Sequence, residues 1–338
     1  MGLVAIEGFD YSNSGGPDFY PKWAWLGGIT ISALGLGRDG IGRYMLIPSS
    51  SGTFYAQIHT QDPGTSNSLI VGFALKPPGG EKNDVVQFLN SAGAEVLAIE
   101  IQTDDTLDAV NNTAVVSSTT SPLNAGAWNY VEMKILFADG AGGSVDWQLD
   151  GVAAGSDPGI DTSYNGPEVF SLKLRGDGTP YHIFDDFYLA NTSGATDFFG
   201  DSTILTLFPN ADAGTPDFTP SEANNYEGVD ENPPDDDTTY NESSTSGHED
   251  LFDFAASGLG GSDTIHGIGL NAWATKPTTN PAQLNMTALS VATPFTSSAI
   301  NIGMGYQRLH ALSLTDPDTA AAWTVAGLDA ASFGYKRV

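Results

Sequence analysis

Apolar and polar residues alternate with a period of two along most of the chain, and runs with a helical period are scarce, so the sequence predicts strands. In the first part they fall at Leu3–Phe9, Tyr44–Ile47, Thr53–Ile58, Ser68–Leu75, Val85–Leu89, Glu95–Ile101, Ala114–Ser117, Trp128–Phe137, Ser144–Leu149, Glu168–Leu174 and His182–Leu189. Clusters such as Pro77-Pro78-Gly79-Gly80 and Asp139-Gly140 bound them and supply the dihedrals that turns need. Many short strands at near-regular spacing predict an antiparallel sandwich or jelly roll.

Past residue 200 the pattern changes. A strand at Thr203–Phe208 is followed by a strand-poor, acidic, proline-bearing stretch, and no Lys or Arg occurs between Arg175 and Lys276. Such a stretch cannot collapse alone, so it is expected to drape over a domain, anchored by Phe218, Tyr226 and Tyr240. Patterning resumes with a short helix or turn at Glu249–Phe254, strands at Ile265–Thr275, Gln283–Leu289, Ser298–Tyr306 and Phe333–Arg337, and a brief helix at Thr324–Ala331. The expected organisation is a β-sandwich over 1–200, an acidic linking segment over 201–248, and a C-terminal β-domain over 249–338 that shares the strand at 203–208.

Composition narrows the function classes. A length of 338 residues is enough for two cores. With 41 acidic against 12 basic residues, the net charge of −29 excludes a duplex-binding role, which needs clustered cations, so nucleic acid is not an expected partner. Cysteine is absent, which excludes disulfides and thiolate metal sites. The opening MGLVAIEGFDYS lacks the basic and apolar regions of a leader, and no run approaches a membrane span. The expectation is a protein made in the cytoplasm without an export signal or membrane contact.

Two stretches carry the most local information. Trp128, Tyr130, Glu132 and Lys134 share one phase of a strand; a Gly-rich turn follows, then Val145, Trp147 and Leu149 before Asp150-Gly151. Phe184–Gly194 is a strand with the adjacent pair Asp185-Asp186, ending in a polar turn. A hairpin followed by an Asp-Asp-aromatic strand resembles the concanavalin A-like lectin or laminin-G type β-sandwich. The resemblance implies an all-β protein: an N-terminal concanavalin A-like jelly-roll sandwich, then a smaller C-terminal β-sandwich.

Glycosidases of that fold need carboxylates on one strand face, about 5 to 5.5 Å apart for a retaining mechanism. Glu95 and Glu100 have odd spacing, Glu132 lacks a partner two residues away, and Asp185 and Asp186 alternate across a strand, so no catalytic pair is expected. Asp185 and Asp186 are instead candidate calcium ligands, with Asp10, Asn13 or Asp177 as further oxygen donors, or else structural anchors. Asp235, Asp236 and Asp237 lack EF-hand spacing, the five His residues are scattered, and Gly35–Gly40 matches a dinucleotide fingerprint only in letters. Trp23 and Trp25, in an aromatic group with Tyr11, Phe19 and Tyr20, are candidate glycan-stacking residues; the alternative is core packing.

Three further passages form a set: Ile6-Glu7-Gly8-Phe9-Asp10, the stretch Asn225–Tyr240, and Asp316-Pro317-Asp318 with Ala322-Trp323-Thr324 and Phe333–Val338. Together they resemble tailed-bacteriophage virion proteins with an N-terminal concanavalin A-like domain. This implies a non-enzymatic tail- or fibre-associated component of the virion, a homo-oligomer (a trimer by particle symmetry) that docks on other virion proteins through one domain. The alternatives are a capsid-surface decoration, an adhesin for host surface glycan and, last, a glycan depolymerase.

Overall fold

The computed structural model describes residues 2–10, 23–26, 30–31, 36–38, 40, 42–47, 55–59, 67–176, 181–191 and 197–338, with the backbone alone at 23–26, 30–31, 55–57 and 59. Two compact units divide between Ile204 and Leu205. The chain is all-β, as its alternation predicts, and the first unit is a sandwich of two antiparallel sheets.

Its strands are β1 (Gly2–Glu7), β2 (Trp23–Leu26), β3 (Thr30–Ile31), β4 (Met45–Ile47), β5 (Tyr55–His59), β6 (Ser68–Lys76), β7 (Asn83–Leu89) and β8 (Glu95–Ile101). There follow β9 (Leu107–Asn111), β10 (Ala114–Ser118), β11 (Asn129–Leu136), β12 (Gly143–Leu149), β13 (Val152–Ile160), β14 (Ser171–Arg175) and β15 (His182–Asn191). An eight-stranded sheet runs β13-β12-β11-β6-β15-β4-β3, with β1 also on β15; a seven-stranded sheet runs β10-β9-β8-β7-β14-β5-β2. Alternation turns Val131, Met133 and Ile135 of the first sheet and Leu172 and Leu174 of the second into the core, all fully buried. Edge-on ring pairs fill it, Phe73 with Phe184 at 5.7 Å and Phe88 with Phe137 at 5.2 Å between centroids. Each such side chain contributes about 1.5–3 kcal/mol of burial.

Four strands of this unit escape the sequence pattern: β2, β3, β9 and β13. Segment 107–111 is short and sits between turns, and 152–160 contains Gly155, Pro158 and Gly159. Proline survives in β13 because that strand lies at the sheet edge, where one row of donors has no ladder partner.

The second unit contains β16 (Pro209–Asp212), β17 (Thr219–Pro220), β18 (Asn241–Glu242), β19 (Glu249–Phe254), β20 (Ile268–Ala274), β21 (Gln283–Ser290), β22 (Thr293–Thr296), β23 (Ile300–Asn301), β24 (Gln307–Ser313) and β25 (Ser332–Arg337). A six-stranded sheet runs β16-β19-β25-β21-β22, with β23 on β21, and β20 pairs with β24 in a separate ribbon. Leu270 and Leu309 of the ribbon and Met286, Ala288 and Phe333 of the sheet share one core with Trp323. The helix α1 (Val325–Asp329) is shorter than its predicted span and is capped by Thr324, whose Oγ1 accepts from Gly327 N at 3.0 Å.

Glu249–Phe254 is a strand, correcting the helix or turn expected there: Asp250 and Phe252 are buried in alternation, and β16 and β25 pair on its two sides. Residues 203–208 form no strand, and of Ser298–Tyr306 only Ile300–Asn301 pairs. The acidic stretch is tied to this sheet by Asp250, which is fully buried. Its Oδ1 accepts from Asp217 N (2.8 Å) and Phe218 N (3.0 Å), and its Oδ2 from Asn225 Nδ2 (2.8 Å).

Close packing leaves several glycines of the first unit without room for a Cβ, Gly72 among them. At Gly72, which pairs with Tyr188 across β6 and β15, a Cβ would lie 2.0 Å from the Tyr188 ring. Gly72→Ala is therefore expected to destabilise this unit by about 2–3 kcal/mol, read as a lowered denaturant midpoint with unchanged slope. A midpoint like that of the unsubstituted protein would show that the ring moves aside freely.

Candidate functional site

Two polar constellations lie on the outer faces of the first unit's sheets. On the eight-stranded sheet, β15 carries the adjacent aspartates. Its register against β6 slips between Asp185 and Tyr188, and Asp186 adopts a left-handed φ of 48°. The pair therefore does not alternate as a regular strand would require. Both side chains are buried. Asp185 Oδ2 accepts from Arg38 N (2.8 Å) and Oδ1 from Asp186 N (2.9 Å), while Asp186 Oδ1 accepts from Ile204 N (2.7 Å). The Arg38 guanidinium lies 3.5 Å from Asp186 Oδ2, also pairs with Asp201, donates to Ser202 O (2.9 Å) and sits 4.9 Å from the Tyr130 ring centroid.

Burial, and then the charge of Asp186, push the Asp185 carboxyl well above its ordinary range. Through these bonds the aspartates anchor the loop at Arg38 and the segment at 197–204. Asp10 accepts from Arg43 N at 2.7 Å. Asn13 and Asp177 lie outside the described residues, as do Tyr11, Phe19 and Tyr20. Among the described residues no group of three or more His, Asp or Glu is arranged to hold a metal ion.

Glu132, on β11 of the same sheet, is fully buried. Its Oε1 accepts from Tyr188 Oη (2.6 Å), Phe199 N (2.8 Å) and Gly200 N (3.0 Å), while Oε2 has no partner. Tyr188 stacks on Phe199 at 4.5 Å. Burial raises the Glu132 pKa above its ordinary value. Glu132 is thus a second anchor for residues 197–204, held in a form that disfavours ionisation.

The seven-stranded sheet presents a different surface. Register aligns Gln57, Lys173, Gln87, Ala98 and Val110 in one row across β5, β14, β7, β8 and β9. Arg175 stands opposite Tyr55, and Asp84 opposite Glu100. Gln87 Nε2 donates to both Asp84 Oδ2 (3.0 Å) and Glu95 Oε2 (2.7 Å). Arg175 Nη1 lies 3.1 Å from Asp84 Oδ2, and Lys82 Nζ lies 2.8 Å from Glu100 Oε2. Burial raises the pKa values of Asp84 and Glu95, and burial followed by the Arg175 charge lowers that of Lys173. Displaced proton affinities of both signs on one sheet face are what acid–base chemistry requires.

Sequence reasoning missed this strip because of two extra residues: Val85 on β7, where the register shifts between Asp84 and Val86 and Asp84 comes onto the face of Gln87, and Val96 on β8. The spacing from Glu95 to Glu100 is odd, which on a regular strand puts them on opposite faces. The β7–β8 register shifts between Phe88 and Leu89, so that Val96 is the extra residue of a bulge, and the phase of Glu95 is reset. Glu95, Asp84 and Glu100 consequently interact electrostatically on one face. Trp23 and Trp25 stand on β2 opposite Ile58 and Ala56, and their side chains lie outside the described residues.

No family model matches the chain, and no curated protein does. Among solved structures the chain is similar to an endo-β-1,4-glucuronan lyase from the fungus Trichoderma reesei, at 16% identity and a TM-score of 0.41, over 53% of this chain and 94% of that one. It is also similar to alginate lyase Aly36B (10%, TM-score 0.40, 55% and 96%) and to a galectin-like protein of unknown function from Bacillus subtilis (12%, 0.37, 56% and 96%). These are likenesses of fold, to jelly-roll sandwiches.

The expectation of a non-enzymatic virion component is corrected here. It rested on the premise that no carboxylates share a strand face, which fails at the β8 bulge, where one Gln87 amide reaches both Asp84 and Glu95.

The Glu132 anchor has a pH signature. Burial makes the folded chain hold this proton more tightly than the unfolded one, so its contribution to stability is present at low pH and is lost as pH rises through the raised pKa. Glu132→Gln keeps the acceptor and removes the charge. Its melting temperature should fall less than that of the parent between about pH 4 and pH 8; identical slopes would refute the assignment.

Proposed function

We propose that the first unit is a polysaccharide-processing domain whose substrate lies across the outer face of the seven-stranded sheet. One observation carries this reading: Gln87 holds two carboxylates of raised proton affinity beside Lys173 and Arg175 on the neighbouring strand. Asp84 is committed to the Arg175 guanidinium. Glu95 is half-buried and near the Asp84 charge, so, although the N–H it accepts from Gln87 works the other way, it keeps a proton at higher pH than an ordinary glutamate and can deliver it to a glycosidic oxygen.

The cations have a complementary role. Lys82, Lys173 and Arg175, three of only 12 basic residues in the chain, gather on this face. They offer donors to sugar hydroxyl or carboxylate oxygens on a protein whose net charge of −29 would otherwise repel an acidic chain. The depressed pKa of Lys173 leaves more of it neutral than an ordinary lysine at the same pH, and the neutral amine can accept a proton.

The test is cleavage of a panel of neutral and uronate polysaccharides by the full chain, followed through new reducing ends and through the ultraviolet absorbance of unsaturated termini. Glu95→Gln is expected to lower kcat/KM by about 100-fold and to remove the limb on which activity falls as pH rises through the Glu95 pKa. Lys173→Ala should weaken substrate binding. No cleavage of any polysaccharide, or full activity in both variants, would overturn the proposal.

A further inference from the structure

The second unit holds an arrangement that neither its core nor the strip on the first unit explains. Trp273, on the ribbon strand β20, and Tyr306, just before β24, lie with ring planes 9° apart and centroids 5.9 Å apart. Each ring is pinned at its polar tip by one of two consecutive residues of the acidic stretch. Trp273 Nε1 donates to Asp236 Oδ1 at 2.8 Å, and Tyr306 Oη donates to Asp237 Oδ1 at 2.6 Å. Asp236 adopts a left-handed φ of 60° at this point, uncommon for a residue other than glycine.

Both rings are only partly buried, although the same unit has a core that encloses Trp323 and Phe333 almost completely. Met304, two residues before Tyr306, is 61% exposed. It stands between Gly303 and Gly305, and a Cβ at Gly305 would meet nothing within 4 Å. The result is a stacked ring pair whose outer surface is partly exposed, with an exposed thioether two residues from Tyr306.

We infer that Trp273, Tyr306 and Met304, edged by Asp236 and Asp237, form a second glycan-binding platform that takes uncharged sugar units. Three features select this class. Oriented, immobile rings match the apolar C–H face of a pyranose and lose little entropy when it docks. Each aspartate spends one carboxylate oxygen on a ring, and the second oxygen can accept hydrogen bonds from sugar hydroxyls. Successive acids Asp235, Asp236 and Asp237 disfavour a uronate chain at this place. The platform is independent of the proposed reaction, since its residues all belong to the second unit.

The experiment is calorimetric titration of the full chain with neutral β-1,4-linked gluco-oligosaccharides and β-1,4-linked manno-oligosaccharides and, separately, with oligogalacturonate. At least one neutral series should bind saturably in a way that depends on Trp273, whereas any oligogalacturonate binding, which belongs to the cationic strip of the first unit, should be the same with and without Trp273. Trp273→Ala should weaken neutral binding at least tenfold, and Tyr306→Phe, which keeps the ring but releases it from Asp237, by a smaller factor. Should Trp273→Ala fail to fold, the unsubstituted protein still decides the matter: bound oligosaccharide should slow peroxide oxidation of Met304 several-fold. Absence of binding by both neutral series, an equal loss of oligogalacturonate binding in Trp273→Ala, or unprotected Met304 at saturation would each overturn the inference.

Discussion

A shortage of cations governs how this protein is built. With 41 acidic and 12 basic side chains, most carboxylates that enter the interior cannot be met by an ion pair. They are met by backbone N–H groups instead. Asp185 takes Arg38 N, Asp186 takes Ile204 N, Glu132 takes Phe199 N and Gly200 N, and Asp150 takes Tyr130 N. In the second unit Asp250 takes Asp217 N and Phe218 N, and Asp212 takes Asn225 N and Tyr226 N. Most of these bonds satisfy a loop donor that would otherwise lack a strand partner, and where the carboxyl is ionised its charge strengthens the bond. The acidity that composition presents as a matter of solubility is therefore also the means by which long irregular segments are fastened to the sheets.

This economy explains why the few interior cations matter. Arg38 is shared among Asp186, Asp201, Ser202 O and the Tyr130 ring, and Arg175 is directed at Asp84. Removing Arg38 would leave carboxylates buried without compensation, which is costlier than the loss of a surface pair. The seven-stranded sheet differs in that Lys82, Lys173 and Arg175 are placed on a half-buried face, where they hold few loops. A cation spent there is withheld from a scaffold that is short of them, which is the physical sense in which that face stands apart from the rest of the unit.

The strands were legible because their alternation is regular; the faces were legible only where the register is regular too. Trp128–Phe137 and Ser144–Leu149 read correctly because β11 and β12 pair residue for residue, from Val131 opposite Leu149 to Leu136 opposite Ser144. At β8 and β15 a bulge intervenes, and a bulge shifts every later side chain to the other face without changing composition. Both misplaced carboxylate assignments, Glu95 with Glu100 and Asp185 with Asp186, fall at those two bulges. The Asp186 bulge had a local trace in adjacent acids flanked by large apolar residues; the one at Val96 had none, since Glu-Val-Leu-Ala-Ile-Glu reads as an ordinary strand. Glu249–Phe254 was hidden differently, because its buried Asp250 breaks the apolar count that marks a strand and is explained only by the donors at residues 217, 218 and 225.

The acidic stretch shows how the same economy can create a surface. Asp250 and Asp212 hold its first half through backbone donors, whereas Asp236 and Asp237 have ring donors as partners. A carboxylate that caps a loop gains from being enclosed, because a low dielectric strengthens the bond. A carboxylate that grips an indole N–H or a phenol O–H at the surface gains less, since water competes for both groups. Yet here the rings are partly exposed and the loop accepts a left-handed Asp236 to reach them. Anchoring alone would be served better by turning the rings inward, as Phe218 and Tyr335 do at 5.0 Å in the same unit. The orientation of Trp273 and Tyr306 is therefore better accounted for by what their exposed surface can receive than by what their polar tips hold.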